Sequence, residues 1–322
     1  MKNKARVTII GGGVVGSATA YYLAKNGLTD VVLLERDYLS SGSTGRCGGG
    51  IRQQWSERMN VRLAMRSVEH FKNFEREVGL NIEYFQGGYL LLAYTEEEEA
   101  LFKKNVAMQQ EEGLDVVLLS REETARKFPF MNLEGLKLSA YCPSDGHANP
   151  HLTTFGYARA AEKMGVEVLT HTDAKRVLVE NGKIKTVVTD RGEIETGIVV
   201  NTAGGYSHQV GEMVGLNLPT ESYRHQIFVT ESLEHILDPL VISFLNNFYI
   251  RQTESGNFIM GQGDRDELPG LEITPTWKFI KEMSDKMPRF FPFLKDVRIL
   301  RHWAGLYNMS PDAQPIIDRS NE

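Results

Sequence analysis

The first 35 residues constrain the fold more than any other stretch of this chain. Val7 to Ile10 is a short apolar run that reads as a buried strand, and it leads directly into Gly11-x-Gly13-x-x-Gly16. A helical stretch beginning at Val14 and Val15 follows, and then a second apolar run, Val31 to Leu34, that ends in Glu35. Gly11 is expected to turn the chain sharply out of the strand. Gly13 is expected to let backbone approach a pyrophosphate, and Gly16 to let the helix pack closely on the strand. The helix start offers free N–H groups and a partial positive charge to phosphates. Glu35, followed by Arg36, stands where a carboxylate accepts hydrogen bonds from a ribose. Ala20, Leu23 and Ala24 give the helix an apolar face, and Gly27 sits where it should stop. A chain that opens in this way opens with a βαβ unit for a dinucleotide.

The rest of the chain bounds what that unit belongs to. A length of 322 residues suits two domains, and 41% hydrophobic residues supply a sizeable core. The net charge of −6 argues against a nucleic-acid or anionic-membrane surface. Two cysteines, Cys47 and Cys142, make neither a disulfide framework nor a metal cluster, and point to a reducing, cytoplasmic setting. No metal is expected. Neither a signal peptide nor a membrane span is expected at the N-terminus, because the first apolar run is short and broken by glycines.

Periodicity predicts a helix over 60–78, a buried strand after Gly87-Gly88, and a helix over 95–110 with Thr95 as its N-cap. Helices are also predicted over 121–128 and 151–165. Asn181-Gly182 between two alternating segments predicts a hairpin, and 194–201 reads as one strand. Residues 216–300 are richer in β patterns and aromatics. The expected class is α/β: a Rossmann-like dinucleotide domain, and a discontinuous α+β substrate domain on a mainly antiparallel sheet. The first is assigned 1–90, 145–215 and 301–322, the second 91–144 and 216–300. A ligand would lie in the crevice between them.

The loop after Glu35 distinguishes the dinucleotides. Ser40 to Gly50 holds five glycines and four hydroxyl side chains in 11 residues. Ser43, Thr44, Arg46, Cys47, Gly48 and Gly49 can approach phosphates or a flavin ring closely. A nicotinamide enzyme needs no second polar glycine-rich loop here, whereas a flavoprotein does. The loop therefore points to FAD.

Several stretches then resemble the D-amino-acid-oxidase-type flavoproteins, above all the β subunits of sarcosine oxidase and dye-linked L-proline dehydrogenase. They are VTIIGGGVVGSATAYYLA, GSGSTGRCGGGIRQQW, GYARAAEKMGVEVLTHT, GIVVNTAGGYS, SYRHQ and LRHWAGLYNMSPDAQPII. The resemblance implies further FAD contacts at Ala174, Ala203 and Gly204. Family members with a covalent flavin carry a cysteine at the position of Gly305, so a non-covalent FAD is implied. His147 and His151 lie near the attachment point of a second flavin in some members, where this chain has Pro150. An FMN shared with a partner subunit is accordingly the form a second flavin would take. The family continues beyond PDAQPII, so a partner subunit or separate chain supplying that flavin-facing segment is expected, with a truncated product as the alternative.

The resemblance also implies the chemistry: hydride transfer to FAD from the carbon next to nitrogen in an amino acid or secondary amine of the L-proline or sarcosine class. Arg52 is the expected carboxylate anchor, since a guanidinium grips a carboxylate as a bidentate fork. The plain alternative is a structural ion pair. Tyr249 and His225 are expected beside the substrate, against alternatives as core residues, and Trp303 as an apolar wall. Tyr307 stands where glycine-oxidase-like members carry an arginine, which places more weight on Arg52. Three other functions stay open from the sequence: a direct amine oxidase releasing peroxide, a non-catalytic flavin-binding assembly subunit, and an NAD-binding dehydrogenase.

Overall fold

A computed structural model describes residues 1–320; residues 321 and 322, assigned above to the dinucleotide domain, lie outside the described residues. The opening unit folds as its pattern predicts. Val7–Ile10 and Val31–Leu34 pair in parallel, and the helix Val14–Lys25 crosses between them. Ile198–Asn201 adds in parallel on the other side of Val7–Ile10, and Glu167–Leu169 beyond Val31–Leu34. The first two strands are buried at every residue, as parallel strands covered on both faces must be. The chain leaves Val7–Ile10 between its two neighbours, and the crevice at such a point is where ligands of these sheets sit. The helix stops at Asn26, with Gly27 at a φ of +88°.

Two readings of the sequence need correction. The run 194–201 is two strands in two sheets. Gly192–Glu195 pairs with the hairpin arm Lys183–Thr189, and the chain then turns through Thr196 and Gly197 into Ile198–Asn201. A continuous apolar pattern cannot show such a change of sheet. The helix predicted over 60–78 is broken at Asn73 into Arg58–Lys72 and Phe74–Val78, with the Asn73 amide donating back to the Glu69 carbonyl. The hairpin forms as predicted, with Asn181 and Gly182 both at positive φ. Thr95 caps Glu96–Glu111 by accepting from the Glu98 N–H.

The second architecture is an eight-stranded sheet, in the order Ile299–Met309, Glu221–Ser232, Asn257–Gly263, Phe248–Gln252, Leu240–Ser243, Tyr89–Ala93, Leu138–Cys142 and Val117–Ser120. All its pairings are antiparallel except Leu240–Ser243 with Tyr89–Ala93. Over its central strands one face is apolar. There Leu90, Phe228, Phe248, Ile250 and Met260 pack with Phe279, Met283 and Met287 of the helix Trp277–Phe290. The strand Ile299–Met309, assigned from sequence to the dinucleotide domain, pairs along its length with Glu221–Ser232. Among the described residues no helix is long and apolar enough to cross a membrane, and no group of three His, Cys, Asp or Glu is placed to hold a metal ion.

Candidate functional site

The glycine turn is tight for a reason visible at each position. Gly11 has a φ of +116°, and a Cβ there would lie 2.4 Å from the Thr202 carbonyl oxygen. A Cβ on Gly16 would fall 1.9 Å from the Gly11 oxygen, so the helix can approach the turn only without one. Beside Gly13, in contrast, the one nearby atom is Thr44 Oγ1, and the space beyond is open. Thr44 Oγ1 accepts from the Val14 N–H at 3.2 Å. Val15 is exposed at the helix start. Glu35 is buried and accepts from the Gly12 N–H, the Asp37 N–H and the Ser41 hydroxyl. A carboxylate has about four acceptor positions, so one remains for a ribose hydroxyl.

Ala203 and Gly204 follow the end of Ile198–Asn201, and the Arg36 guanidinium lies 3.8 Å over the Tyr206 ring beside them. Ala174 lies two residues after Thr172, whose N–H donates to the Glu35 carbonyl. The structure therefore gathers Gly11, Gly13, Val14, Val15, Gly16, Glu35, Arg36, Thr44, Ala174, Ala203 and Gly204 around the carboxyl ends of the parallel strands. Open space at Gly13, free helix N–H groups and a spare acceptor on Glu35 fit the pyrophosphate and ribose of FAD.

The second loop is stitched to the large sheet. Ser43 Oγ donates to the Leu306 carbonyl at 2.7 Å, Arg46 Nη1 to the Ala304 carbonyl at 3.1 Å, and Trp303 Nε1 to the Arg46 carbonyl at 3.0 Å. Ser43 thus spends its hydroxyl donor on the protein, Arg46 spends two of its five N–H groups there, and Trp303 anchors the loop as well as standing near the cleft. Arg251 Nε donates to the Gly48 carbonyl from the other side. A Cβ on Gly48 would lie 3.1 Å from the Tyr249 ring, and one on Gly50 would overlap the Tyr89 hydroxyl.

The register of the large sheet places one set of side chains opposite this loop. His225 pairs with Gly305 and Gly263, Tyr223 with Tyr307, Ile227 with Trp303 and Gly261, and Tyr249 with Gly261. Paired residues share a face. That face therefore carries His225, Tyr249, Arg251, Trp303 and Tyr307 above a lane of three glycines. Tyr249, His225 and Tyr307 stand with parallel rings, 5.7 and 4.3 Å between centroids. The Tyr249 ring lies across Gly261, where a Cβ would come within 2.4 Å of its hydroxyl.

Electrostatics mark the same place. Burial pulls the His225 pKa down to about 4, so its imidazole is neutral near pH 7, and its Nε2 is buried without a hydrogen-bond partner. Burial pushes the Tyr249 hydroxyl well above its ordinary value. Cys47 and Tyr307 are solvent-accessible, yet surrounding protein raises both of their pKa values, as expected for groups lining a deep cleft.

Arg52 follows the loop directly. Its guanidinium stacks 4.0 Å over Trp55, and Phe244 lies 5.9 Å away. Its Nε is buried without a partner, and burial lowers its pKa. Among the described residues it forms no ion pair, so the structural alternative for Arg52 has no partner here. Of the other histidines, His151 bonds Ser40 Oγ at 2.7 Å, and buried His147 pairs with Gly50.

The sequence reading missed Arg251, Tyr89, Gly261 and Gly263 as parts of this wall. The repeated glycines of Met260-Gly-Gln-Gly263 in a strand are a local signal of close approach. Which ring lies over them is set by register between distant strands. A separate hollow of about 490 Å³, lined by Asn246, Glu282, Asp285, Lys286, Arg289 and Phe290, contains none of the expected residues.

Comparison with known proteins shows the family and the fold. A family model described as FAD dependent oxidoreductase matches residues 6–322. The sarcosine oxidase subunit beta of Rhizobium meliloti (strain 1021) is 32% identical over 319 residues, 98% of this chain and 76% of that protein. Among solved structures, L-proline dehydrogenase from P. horikoshii has a TM-score of 0.93 at 38% identity, covering 100% of this chain and 86% of that one. Glycine oxidase from Geobacillus kaustophilus shares the fold, with a TM-score of 0.90 at 22% identity over 100% of this chain and 87% of its own.

Proposed function

This chain belongs to the FAD dependent oxidoreductase family, and from that premise we propose that it oxidises the carbon–nitrogen bond of a carboxylate-bearing amine of the L-proline or sarcosine class. The observation that carries the proposal is Arg52: a largely buried cation beside the glycine loop, with no acidic partner among the described residues and an unused Nε. A substrate carboxylate supplies the missing anion.

FAD, held non-covalently by the Gly11–Gly16 turn, Glu35 and the Ser43–Gly49 loop, would supply the two-electron acceptor for hydride from the carbon next to nitrogen. The chain's own residues bind and orient. Arg52, backed by Trp55, fixes the carboxylate. Neutral His225 offers Nε2 to the substrate nitrogen, and Tyr249 and Tyr307 flank it with their hydroxyls. His225 does not add a second positive charge near the amine, which suits a substrate that must be neutral at nitrogen to give up hydride.

The proposal includes passage of electrons to a partner subunit, with an FMN shared between the two, and a cytoplasmic setting. The partner subunit is supported by the subunit status of the sarcosine oxidase relative, and the setting by two unpaired cysteines. The test is anaerobic mixing of FAD-loaded protein with L-proline, sarcosine, glycine or D-alanine, followed by an artificial dye. Bleaching of the flavin by a carboxylated secondary amine is expected. Absence of bleaching with all four would refute it, and prompt reoxidation by air with peroxide would make the protein a direct oxidase.

A further inference from the structure

Arg52 is left unpaired by a specific arrangement behind it. The short strands Gly50–Ile51 and Gly146–His147 pair with Ile51 opposite Gly146, so continuing the register would set Arg52 opposite Asp145. The ladder stops there. The Asp145 side chain, fully buried, instead accepts the Gln53 N–H at 2.7 Å, Gln53 Nε2 at 3.0 Å and Gln54 Nε2 at 3.1 Å. Gln53 Nε2 also reaches Ser144 Oγ, and Gln54 Nε2 the Tyr89 carbonyl. The Asp145 carbonyl accepts from the Gly88 N–H, which ties the turn to the start of Tyr89–Ala93.

Asp145 is thus the nearby counter-charge to Arg52, yet its oxygens are engaged by the two residues that follow Arg52. Three N–H groups of Gln53 and Gln54 donating to one carboxylate hold 53–54 against the sheet, and Arg52 is the residue at the lip of that held segment. The attraction between Asp145 and Arg52 acts through space, without a contact that would occupy the guanidinium. A direct ion pair would neutralise the anchor and close it to substrate.

We infer that Asp145, with Gln53 and Gln54, is a clamp that positions Arg52 and keeps its guanidinium free for a substrate carboxylate. The inference rests on the proposed carboxylate-binding role of Arg52. Asp145 is a positioning residue; it does not touch the substrate.

The test compares pyrrole-2-carboxylate with pyrrole, two planar ligands that differ by the carboxylate, binding to FAD-loaded protein and read by perturbation of the flavin spectrum. In Asp145→Asn the amide must turn an N–H₂ toward donors that need acceptors, so at least one is left unpaired. The affinity for pyrrole-2-carboxylate should fall about tenfold or more, with pyrrole binding and FAD retention within about twofold of wild type. Gln54→Met, which removes one donor, should lose roughly threefold in the same selective sense; if Asp145→Asn does not fold, this variant decides. Equal losses for both ligands together with loss of FAD would reduce Asp145 to fold support and overturn the clamp. Unchanged affinities would overturn it too. A wild type that shows no preference for the carboxylated ligand, or keeps it in Arg52→Ala, would overturn the anchor reading itself.

Discussion

Replacing Arg52 by methionine should weaken substrate binding by roughly 10²–10³-fold while making the protein more stable. The methionine keeps an unbranched stem against Trp55 and Phe244 and removes the charge. In the substrate complex Arg52 is expected to make two charge-assisted hydrogen bonds. Losing them, with the carboxylate returned to water, should cost about 3–4 kcal/mol, or roughly 10²–10³-fold in KM. In the free protein the balance runs the other way. Arg52 Nε is buried without a partner, a loss of about 1–3 kcal/mol, offset by about 0.5–1 kcal/mol from its stacking on Trp55. Asp145 loses the through-space attraction of Arg52 but keeps the three N–H groups that donate to it. The net gain should be about 1 kcal/mol, which raises the melting temperature of a chain this size by about 1–3 °C. Thermal unfolding of FAD-loaded protein without substrate, together with steady-state kinetics on the same preparations, measures both. A melting temperature several degrees lower with KM unchanged would show that Arg52 is a structural cation.

Gly261→Ala should leave the fold intact but push Tyr249 out of place, because the new Cβ would sit 2.4 Å from its hydroxyl; kcat/KM should fall about tenfold, and a value within twofold of wild type would show that Tyr249 has no part in the site. Gly11→Ala meets backbone, the Thr202 carbonyl, at a φ that L-residues avoid; purified protein should lose FAD, and undiminished flavin absorbance after gel filtration would contradict the assignment of this turn. Burial holds His147 at about 3 and His225 at about 4, below their unfolded value, so the unfolded chain binds more protons between these values and about 6.5. Stability should therefore fall as pH drops through that window, by about 2 kcal/mol per histidine at pH 5, and denaturant melts of His147→Asn and His225→Asn should each show a shallower fall.

What the sequence revealed was local. Gly11 to Glu35, the Asn181-Gly182 turn and the Thr95 cap each specify backbone within a few residues, and each folds as its chemistry demands. The dinucleotide half of the site follows from them. The substrate half does not, because it is assembled by register. His225 meets Gly263, Gly305 and Tyr307 across strands that no local period relates to one another. Arg251 could be recognised as a support of the flavin loop only when Phe248–Gln252 was seen to face Gly48. The misread strand at 194–201 has the same origin: an apolar run reports burial, not which sheet does the burying. Asp145 gives no sequence sign of its task, since an aspartate in a Pro-Ser-Asp-Gly turn ordinarily faces water.

The hydrogen bonds from Ser43, Arg46 and Trp303 between the flavin loop and the last strand join residues 257 to 263 positions apart. During synthesis the Gly11–Gly16 turn can form early, because its partner strand Val31–Leu34 follows at once. The loop lacks these three ties until Leu306 has left the ribosome and Ile299–Met309 has zipped onto Glu221–Ser232. Cofactor loading should then wait until that strand has been made. A nascent chain arrested before residue 299 would carry the nucleotide turn but should be unable to retain FAD.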